Sequence, residues 1–393
     1  MRTETIAARV MTGGEAVAEA MRQIDPEVVP VYPITPQTPI IQGYAKFVSN
    51  GSAHGEIINV ESEHSAMSAA IGAALSGART ITATSSQGLA LMAEVVYIAA
   101  AMRAPIVMAL GNRALSGPIN IHCDHSDSML IRDSGVLQLF AENAQEAYDL
   151  MIMAPRIAEH PDVLLPVLVC QDGFTITHSA EPVTLLEDRR VPRFVGQYRI
   201  PNPLLNVAVP TTQGPFAMPD YYYEVRYQQV AAMAAALDVF DEVAAAFRQI
   251  SGRRYDVIEA YELEDAESAI VCLGSTGGTV KDAVDELRAQ GERVGLLEIR
   301  SFRPLPVDRI RAALRFVPNV AVLDRADSPG GRPPLFAELS AVLHDTDVGL
   351  RSFVYGLGGR ELHPEDAISV YRDALLPHHG PEYLGLRGDA CLA

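Results

Sequence analysis

The chain has 393 residues, 48% hydrophobic and 20% charged, enough apolar material for a large core in two or three domains. Its formal net charge of −18 repels phosphate backbones and argues against nucleic-acid binding. Four scattered cysteines, Cys123, Cys170, Cys272 and Cys391, form no C-x-x-C pair or ferredoxin-type run, so no zinc or iron–sulfur site is readable and a reducing, cytoplasmic compartment is expected.

Residues 1–9 carry no apolar run of the signal-peptide kind. Short β-rich runs then alternate with helix-period segments, the pattern of an α/β fold with a mainly parallel sheet. In chain order the first half predicts a helix over 14–23 and strands over 28–34 and 56–60. A helix over 64–76 and a strand over 80–84 follow. Next come a helix over 89–102, a strand over 105–110, a helix over 144–160 and a strand over 166–171. The 89–102 helix is too short to cross a bilayer and contains Glu94, so no membrane span is expected.

The first of these strands runs into a proline-framed turn. Pro33, Pro36 and Pro39 each fix one backbone angle and remove a donor, so the segment should continue neither as helix nor as central strand. A turn this stiff holds Thr35 in place, or is simply a rigid surface loop. Residues 181–219 are Pro-rich and aperiodic and read as a long arm lying on a neighbouring surface. A helix over 222–250 follows, stopped at Gly252. A second α/β unit then places strands over 269–273, 294–299, 320–323 and 352–355, with helices starting near Thr279, Pro306, Pro334 and after His363. The expected division is 1–255 and 256–393.

Ligands of open parallel sheets bind beyond the carboxyl ends of the strands. At that edge of the first unit stand Thr35, Glu61, Glu63, Ser85, Ser86, Gln87, Asn112, Arg113 and Asp172. Each has a plainer reading as cap or turn former; the clustering of several chemistries points to a site. Glu63 is either a helix cap or a sheltered carboxylate that hydrogen-bonds a ring nitrogen. Arg113 is either a structural ion-pair partner or a guanidinium fork for a substrate carboxylate. The run His122-Cys-Asp-His-Ser-Asp127 lacks metal-motif spacing. It reads better as a loop closing over the site, with Asp124 or His125 bonding inward and Asp127 capping the next helix. The Gly-rich turns after Gly274, Ser328 and Gly356 form neither a Walker A loop nor a full G-x-G-x-x-G, so an NAD dehydrogenase has little support.

Taken together, Tyr32-Pro-Ile-Thr-Pro-Gln-Thr-Pro39, Glu61-Ser-Glu-His-Ser-Ala66, Thr82-Ala-Thr-Ser-Ser-Gln-Gly-Leu89, Asn112-Arg-Ala-Leu-Ser-Gly-Pro-Ile119 with Asp124-His-Ser-Asp127, and Asp172-Gly-Phe174 resemble the alpha subunit of 2-oxoacid:ferredoxin oxidoreductases, pyruvate:ferredoxin oxidoreductase most closely. The likeness continues into Arg300-Ser-Phe-Arg-Pro-Leu-Pro306. It implies two open, mainly parallel α/β domains: a pyrimidine-type thiamine diphosphate domain, then a transketolase C-terminal-like domain. It implies a beta subunit holding the diphosphate and Mg²⁺, and [4Fe-4S] clusters in partner subunits, gamma- and delta-type subunits among them. Pyruvate, coenzyme A and ferredoxin are the implied reactants. Gly-Asp-Gly with a distal Asn, the usual diphosphate–metal signature, is missing here, as half of a shared site requires.

By the same resemblance Glu63 matches the glutamate that hydrogen-bonds N1′ of the aminopyrimidine, with Glu61 its competitor. Arg113 matches the arginine that binds the 2-oxoacid carboxylate. Thr35 matches a threonine on the substrate oxygens, and Ser86 and Gln87 are expected beside the cofactor. The alternatives are the same chemistry on 2-oxoglutarate or a branched-chain 2-oxoacid, and a non-catalytic scaffold subunit.

Overall fold

The computed structural model describes residues 8–375 and 380–388; Cys391 lies outside them. The first unit runs β1 (Arg9–Thr12), α1 (Gly13–Ile24), β2 (Val28–Val31), α2 (Thr38–Ser49), β3 (Glu56–Asn59), α3 (Glu63–Ser76), β4 (Thr80–Thr84), α4 (Ser86–Ala101) and β5 (Ile106–Asn112). It continues through α5 (Ser126–Leu130), β6 (Leu137–Phe140), α6 (Ala144–Ala158), β7 (Val167–Asp172), β8 (Ala180–Val183), α7 (Arg190–Val195) and α8 (Pro219–Ser251). The second unit runs β9 (Ile258–Tyr261), β10 (Ser268–Cys272), α9 (Thr276–Ala289), β11 (Val294–Ile299), β12 (Ser301–Arg303), α10 (Val307–Leu314) and β13 (Asn319–Asp324). It closes with α11 (Pro334–Val342), β14 (Gly349–Val354), α12 (Pro364–Asp373) and β15 (Glu382–Tyr383).

Among the described residues the first sheet has seven strands in the order β12-β6-β7-β5-β4-β2-β3, and the second has six in the order β15-β14-β13-β10-β11-β9. Both are parallel except for one antiparallel edge strand each, β12 and β9. The strand β12 belongs by sequence to the second unit yet pairs with β6 of the first, Ser301 opposite Leu139. That is what the Arg300–Pro306 motif does: it stitches one unit to the other. Its first residue, Arg300, is 2% exposed and reaches Glu146 of α6 at 2.5 Å and Glu259 of β9 at 3.1 Å. Phe302 then meets Phe140 edge-on, ring centroids 6.4 Å apart, within a core shared by both units.

The helices follow from their sequences. Thr12 and Glu15 form a capping box at the start of α1, satisfying two backbone donors reciprocally. Ala16, Val17, Ala20, Met21 and Ile24 recur at helical spacing and are all buried against the sheet. On the other face the small residues of α3 (Ala66, Ala70, Ala74) let it pack closely on the sheet and on α4. Gly252 ends α8 at φ 75°, a conformation that disfavours a Cβ.

Two expectations are corrected. The proline turn does lead into a helix. Pro39 sits in the first turn of α2, where its missing N–H has no intrahelical acceptor to lose. The strand before the turn is shorter than expected and stops at Val31. Residues 181–219 are also not one aperiodic loop. Residues 180–183 form β8, paired antiparallel with β1, and 190–195 form α7. The irregular arm starts at Gly196; the Leu204 N–H donates to Leu75 O at 2.9 Å, and Phe216 is 90% exposed. No helix among the described residues is long and apolar enough to cross a membrane.

Candidate active site

The carboxyl ends of β2, β3, β4, β5 and β7 bring their loops to one edge of the first sheet. The close approaches there are tight. A Cβ on Gly111 would lie 3.1 Å from Ser85 Oγ and 3.2 Å from Pro36 Cγ, and one on Gly173 would lie 2.8 Å from Pro36 Cγ. The turns after β2, β4, β5 and β7 therefore touch one another.

The pin of this edge is Asp127, fully buried on α5. One oxygen accepts the backbone N–H of Ser86 at 2.9 Å and of Arg113 at 3.0 Å; the other accepts Asn112 Nδ2 at 2.9 Å and its neighbour's N–H. Burial pushes its pKa up to about 6, and the hydrogen bonds from Arg113, Ser86 and Asn112 hold it from going further. The expected cap of its own helix is thus replaced by a larger role. Asp127 satisfies the start of α4 and fixes the turn after β5.

The Ser86 residue has φ 49°, a strained conformation for a side chain with a Cβ, and its hydroxyl is 2.6 Å from both Ala114 O and Gln87 Oε1. It locks the turn, and its hydroxyl is already engaged. Gln87 is half-buried beside it.

Glu63 is the first residue of α3 and is not its cap. Ser62 caps the helix through the N–H of Ser65. As a residue Glu63 is 6% exposed, and no hydrogen bond or ion pair holds its carboxylate among the described residues. Its oxygens are not sealed from solvent, so the carboxylate stays open at the strand edge without the full cost of desolvation. It lies against Gly88 of α4; a Cβ there would fall 2.7 Å from Glu63 Oε1 and 2.4 Å from Thr84 Oγ1. Glu61, the competitor, is exposed, and its carboxylate accepts the Ser65 hydroxyl, which lowers its pKa. Gly88→Ala should cut any activity housed at this edge at least about tenfold by displacing the Glu63 carboxylate. Helix propensity alone would favour alanine by about 1 kcal/mol. Steady-state kcat measures the outcome, and an unchanged value refutes the packing argument.

The Arg113 guanidinium is buried and has two carbonyl partners: Nε donates to Asn120 O at 3.1 Å and Nη1 to Thr35 O at 3.0 Å. No carboxylate pairs with it among the described residues, so the ion-pair reading does not describe it. Thr35, between a bent proline turn and α2, is exposed, and its backbone oxygen rather than its hydroxyl is the Arg113 contact.

Asp172, at the end of β7, is turned away into a buried knot. His125 Nε2 and Arg325 Nη1 lie 2.8 Å from its oxygens, and Ser275 Oγ donates at 2.5 Å. Burial raises its pKa, but the His125 and Arg325 charges outweigh this and hold it well below the usual carboxylate range. The ligand atoms of Cys123, His125 and Asp172 fall within 4.8 Å of one another. The Arg325 guanidinium already supplies the positive charge a cation would bring. Cys123 is buried, and its thiol pKa is pushed up by burial. Of the expected inward contacts, His125 makes one. Asp124 instead accepts the Gly358 N–H from the second unit at 3.2 Å. The second unit's glycines, 358 and 359, serve this packing: a Cβ would meet Asn120 or His122 within 2.4 Å. Arg325 and Ser275, which hold Asp172, were not foreseeable, because each lies more than a hundred residues from it.

Comparison with known proteins adds the following. Residues 19–245 match the family model described as "Pyruvate flavodoxin/ferredoxin oxidoreductase, thiamine diP-bdg", and residues 266–367 match "Pyruvate:ferredoxin oxidoreductase core domain II". The pyruvate synthase subunit PorA of Thermotoga maritima is 52% identical over 390 residues, covering 98% of this chain and all of the relative. The ketoisovalerate oxidoreductase subunit VorA of Pyrococcus horikoshii is 40% identical over 368 residues, 93% of each chain. A solved structure of 2-oxoglutarate:ferredoxin oxidoreductase from Magnetococcus marinus superposes with a TM-score of 0.75 at 20% identity, over 94% of this chain and 66% of that one. That last likeness concerns the fold.

Proposed function

The chain belongs to the pyruvate flavodoxin/ferredoxin oxidoreductase family, and from that premise we propose how its site works as the alpha subunit of a thiamine diphosphate-dependent pyruvate:ferredoxin oxidoreductase. The observation that carries the proposal is the largely buried Glu63, whose carboxylate has no partner among the described residues, at the edge that also holds an Arg113 guanidinium with no carboxylate among them. The donor set fits half of a thiamine diphosphate site. A carboxylate that no side chain engages matches a ring nitrogen of the pyrimidine, and the Gly88 gap keeps it in place. Bound thiamine diphosphate supplies the electron sink needed to break the bond between a 2-oxo carbon and its carboxylate.

In this reading Glu63 holds a proton at the pyrimidine ring nitrogen. The Ser86–Gln87 turn would form the wall beside that ring. The open Nη2 edge of Arg113 would take the pyruvate carboxylate, and Thr35, which accepts Arg113 Nη1 through its backbone oxygen, would stand beside the substrate. The division at 255/256 separates the unit that carries these residues from a second unit that braces them. A beta subunit would hold the diphosphate and its Mg²⁺, and [4Fe-4S] clusters in partner subunits would supply the route for electrons to ferredoxin. Coenzyme A is the acyl acceptor. The scattered cysteines and acidic composition support a cytoplasmic setting for the complex.

The relative named for ketoisovalerate makes a branched-chain 2-oxoacid the second reading. The test is kcat/KM of the assembled complex for pyruvate, 3-methyl-2-oxobutanoate and 2-oxoglutarate. Extra methylenes in a small pocket shift binding by about 1–3 kcal/mol each, so pyruvate should lead by about tenfold or more. A tenfold or greater lead for either competitor would reassign the substrate.

A further inference from the structure

The Arg113 fork bonds a residue of an otherwise exposed loop. Residues 116–119 and 121–122 are all exposed, Ile119 at 76%. Asn120 between them is fixed at every polar atom of its side chain. Its Nδ2 donates to Gly358 O at 2.8 Å, and its Oδ1 accepts the His122 N–H at 2.8 Å. Its backbone oxygen, in the peptide so held, accepts Arg113 Nε at 3.1 Å. The Gly358 N–H closes a ring by donating to Asp124 Oδ2 at 3.2 Å. Gly358 has φ 62°, and a Cβ on it would lie 2.3 Å from Asn120 Nδ2. Only glycine allows both the backbone conformation and the approach.

We propose that Asn120 is a positioning residue for Arg113, clamped by the turn between β14 and α12, so that the second unit sets the aim of the guanidinium. The physical reason lies in the fork itself. Two neutral carbonyls, Thr35 O and Asn120 O, fix two of its three nitrogens, and the direction of the third follows. The Thr35 anchor belongs to a turn stiffened by its own prolines. Within its own loop the Asn120 anchor is tied only through His122, whose N–H it accepts and whose O accepts the Ala114 N–H, and Gly358 supplies its hold on the second unit. Loss of the clamp frees the exposed loop, and with it one of the two points that orient the free Nη2 edge.

The inference rests on the reading that Arg113 binds the substrate carboxylate. It is tested in the assembled complex with Asn120→Ala, Gly358→Ala, Arg113→Ala and the double variant Arg113→Ala/Asn120→Ala, measuring KM and kcat for pyruvate separately. Asn120→Ala and Gly358→Ala should each raise KM about tenfold or more, with a smaller change in kcat. The double variant should match Arg113→Ala alone, a non-additivity that general loss of stability does not produce. Should Asn120→Ala fail to assemble, Asn120→Ser reads the same quantities. The inference is overturned if Arg113→Ala raises KM while Asn120→Ala and Gly358→Ala do not. It is equally overturned if Asn120→Ala adds its full effect on top of Arg113→Ala. An Arg113→Ala enzyme with unchanged KM would overturn the reading of Arg113 and this inference together.

Discussion

Replacing Arg113 with alanine in the assembled enzyme should lower kcat/KM for pyruvate by about 2–5 kcal/mol, a loss of roughly thirtyfold to a few thousandfold. The size follows from burial. Arg113 is 7% exposed as a residue, and among the described residues its guanidinium is bonded only to neutral carbonyls. Its interaction with a carboxylate is therefore screened little by solvent, and the variant leaves that carboxylate buried without a counter-charge. The loss should fall mainly on KM, because the carboxylate is bound before the reaction starts. Lysine should restore little, since its ammonium cannot span Thr35 O and Asn120 O while facing a substrate. Steady-state kinetics with pyruvate measures the effect, and a change below about threefold would remove Arg113 from the site.

The second large effect belongs to Glu63. Glu63→Gln keeps the volume against Gly88 and removes the charge. A positioned acid–base group contributes about 10²–10⁴ in rate, so kcat should drop by that much while thiamine diphosphate still binds the complex. Full turnover by this variant would favour a scaffold role for the chain. A substitution of exposed Glu61, by contrast, should leave kcat within about twofold, because its carboxylate serves the Ser65 hydroxyl at the rim of α3.

Much of the fold was legible because local signals agreed with the final packing. The strands β4 and β11 were bounded correctly at both ends, being fully buried runs with turn formers on either side. The helix α2 was missed because Pro39 was weighed as a breaker without regard to its place in the first turn. The strands β1, β6, β8, β9 and β12 are four residues or fewer, too short for periodicity to register. Pairing of β12 with β6 joins residues about 160 positions apart, which no local pattern encodes.

The site was legible for a topological reason. An open parallel sheet gathers every strand-to-helix loop at one edge, so polar residues just after strands fall together without knowledge of their contacts. That places Thr35, Glu63, Ser86, Arg113 and Asp172 at one edge. It does not tell which of them are engaged. Ser86 and Asp172 have the same sequence setting as Glu63 and Arg113, yet both are consumed by buried partners. Asp127, the residue that ties the loops after β4 and β5 together, was read as a helix cap because its partners Ser86 and Arg113 lie 41 and 14 residues away.

The central claim is that the Glu63 carboxylate faces the pyrimidine of thiamine diphosphate. The most direct measurement is the rate at which the C2 proton of the bound cofactor exchanges with deuterium, read by NMR after rapid quenching, in complexes containing either the native chain or Glu63→Gln. The account predicts exchange at least about a hundredfold slower in the variant at equal cofactor occupancy. Equal rates in the two complexes would contradict it.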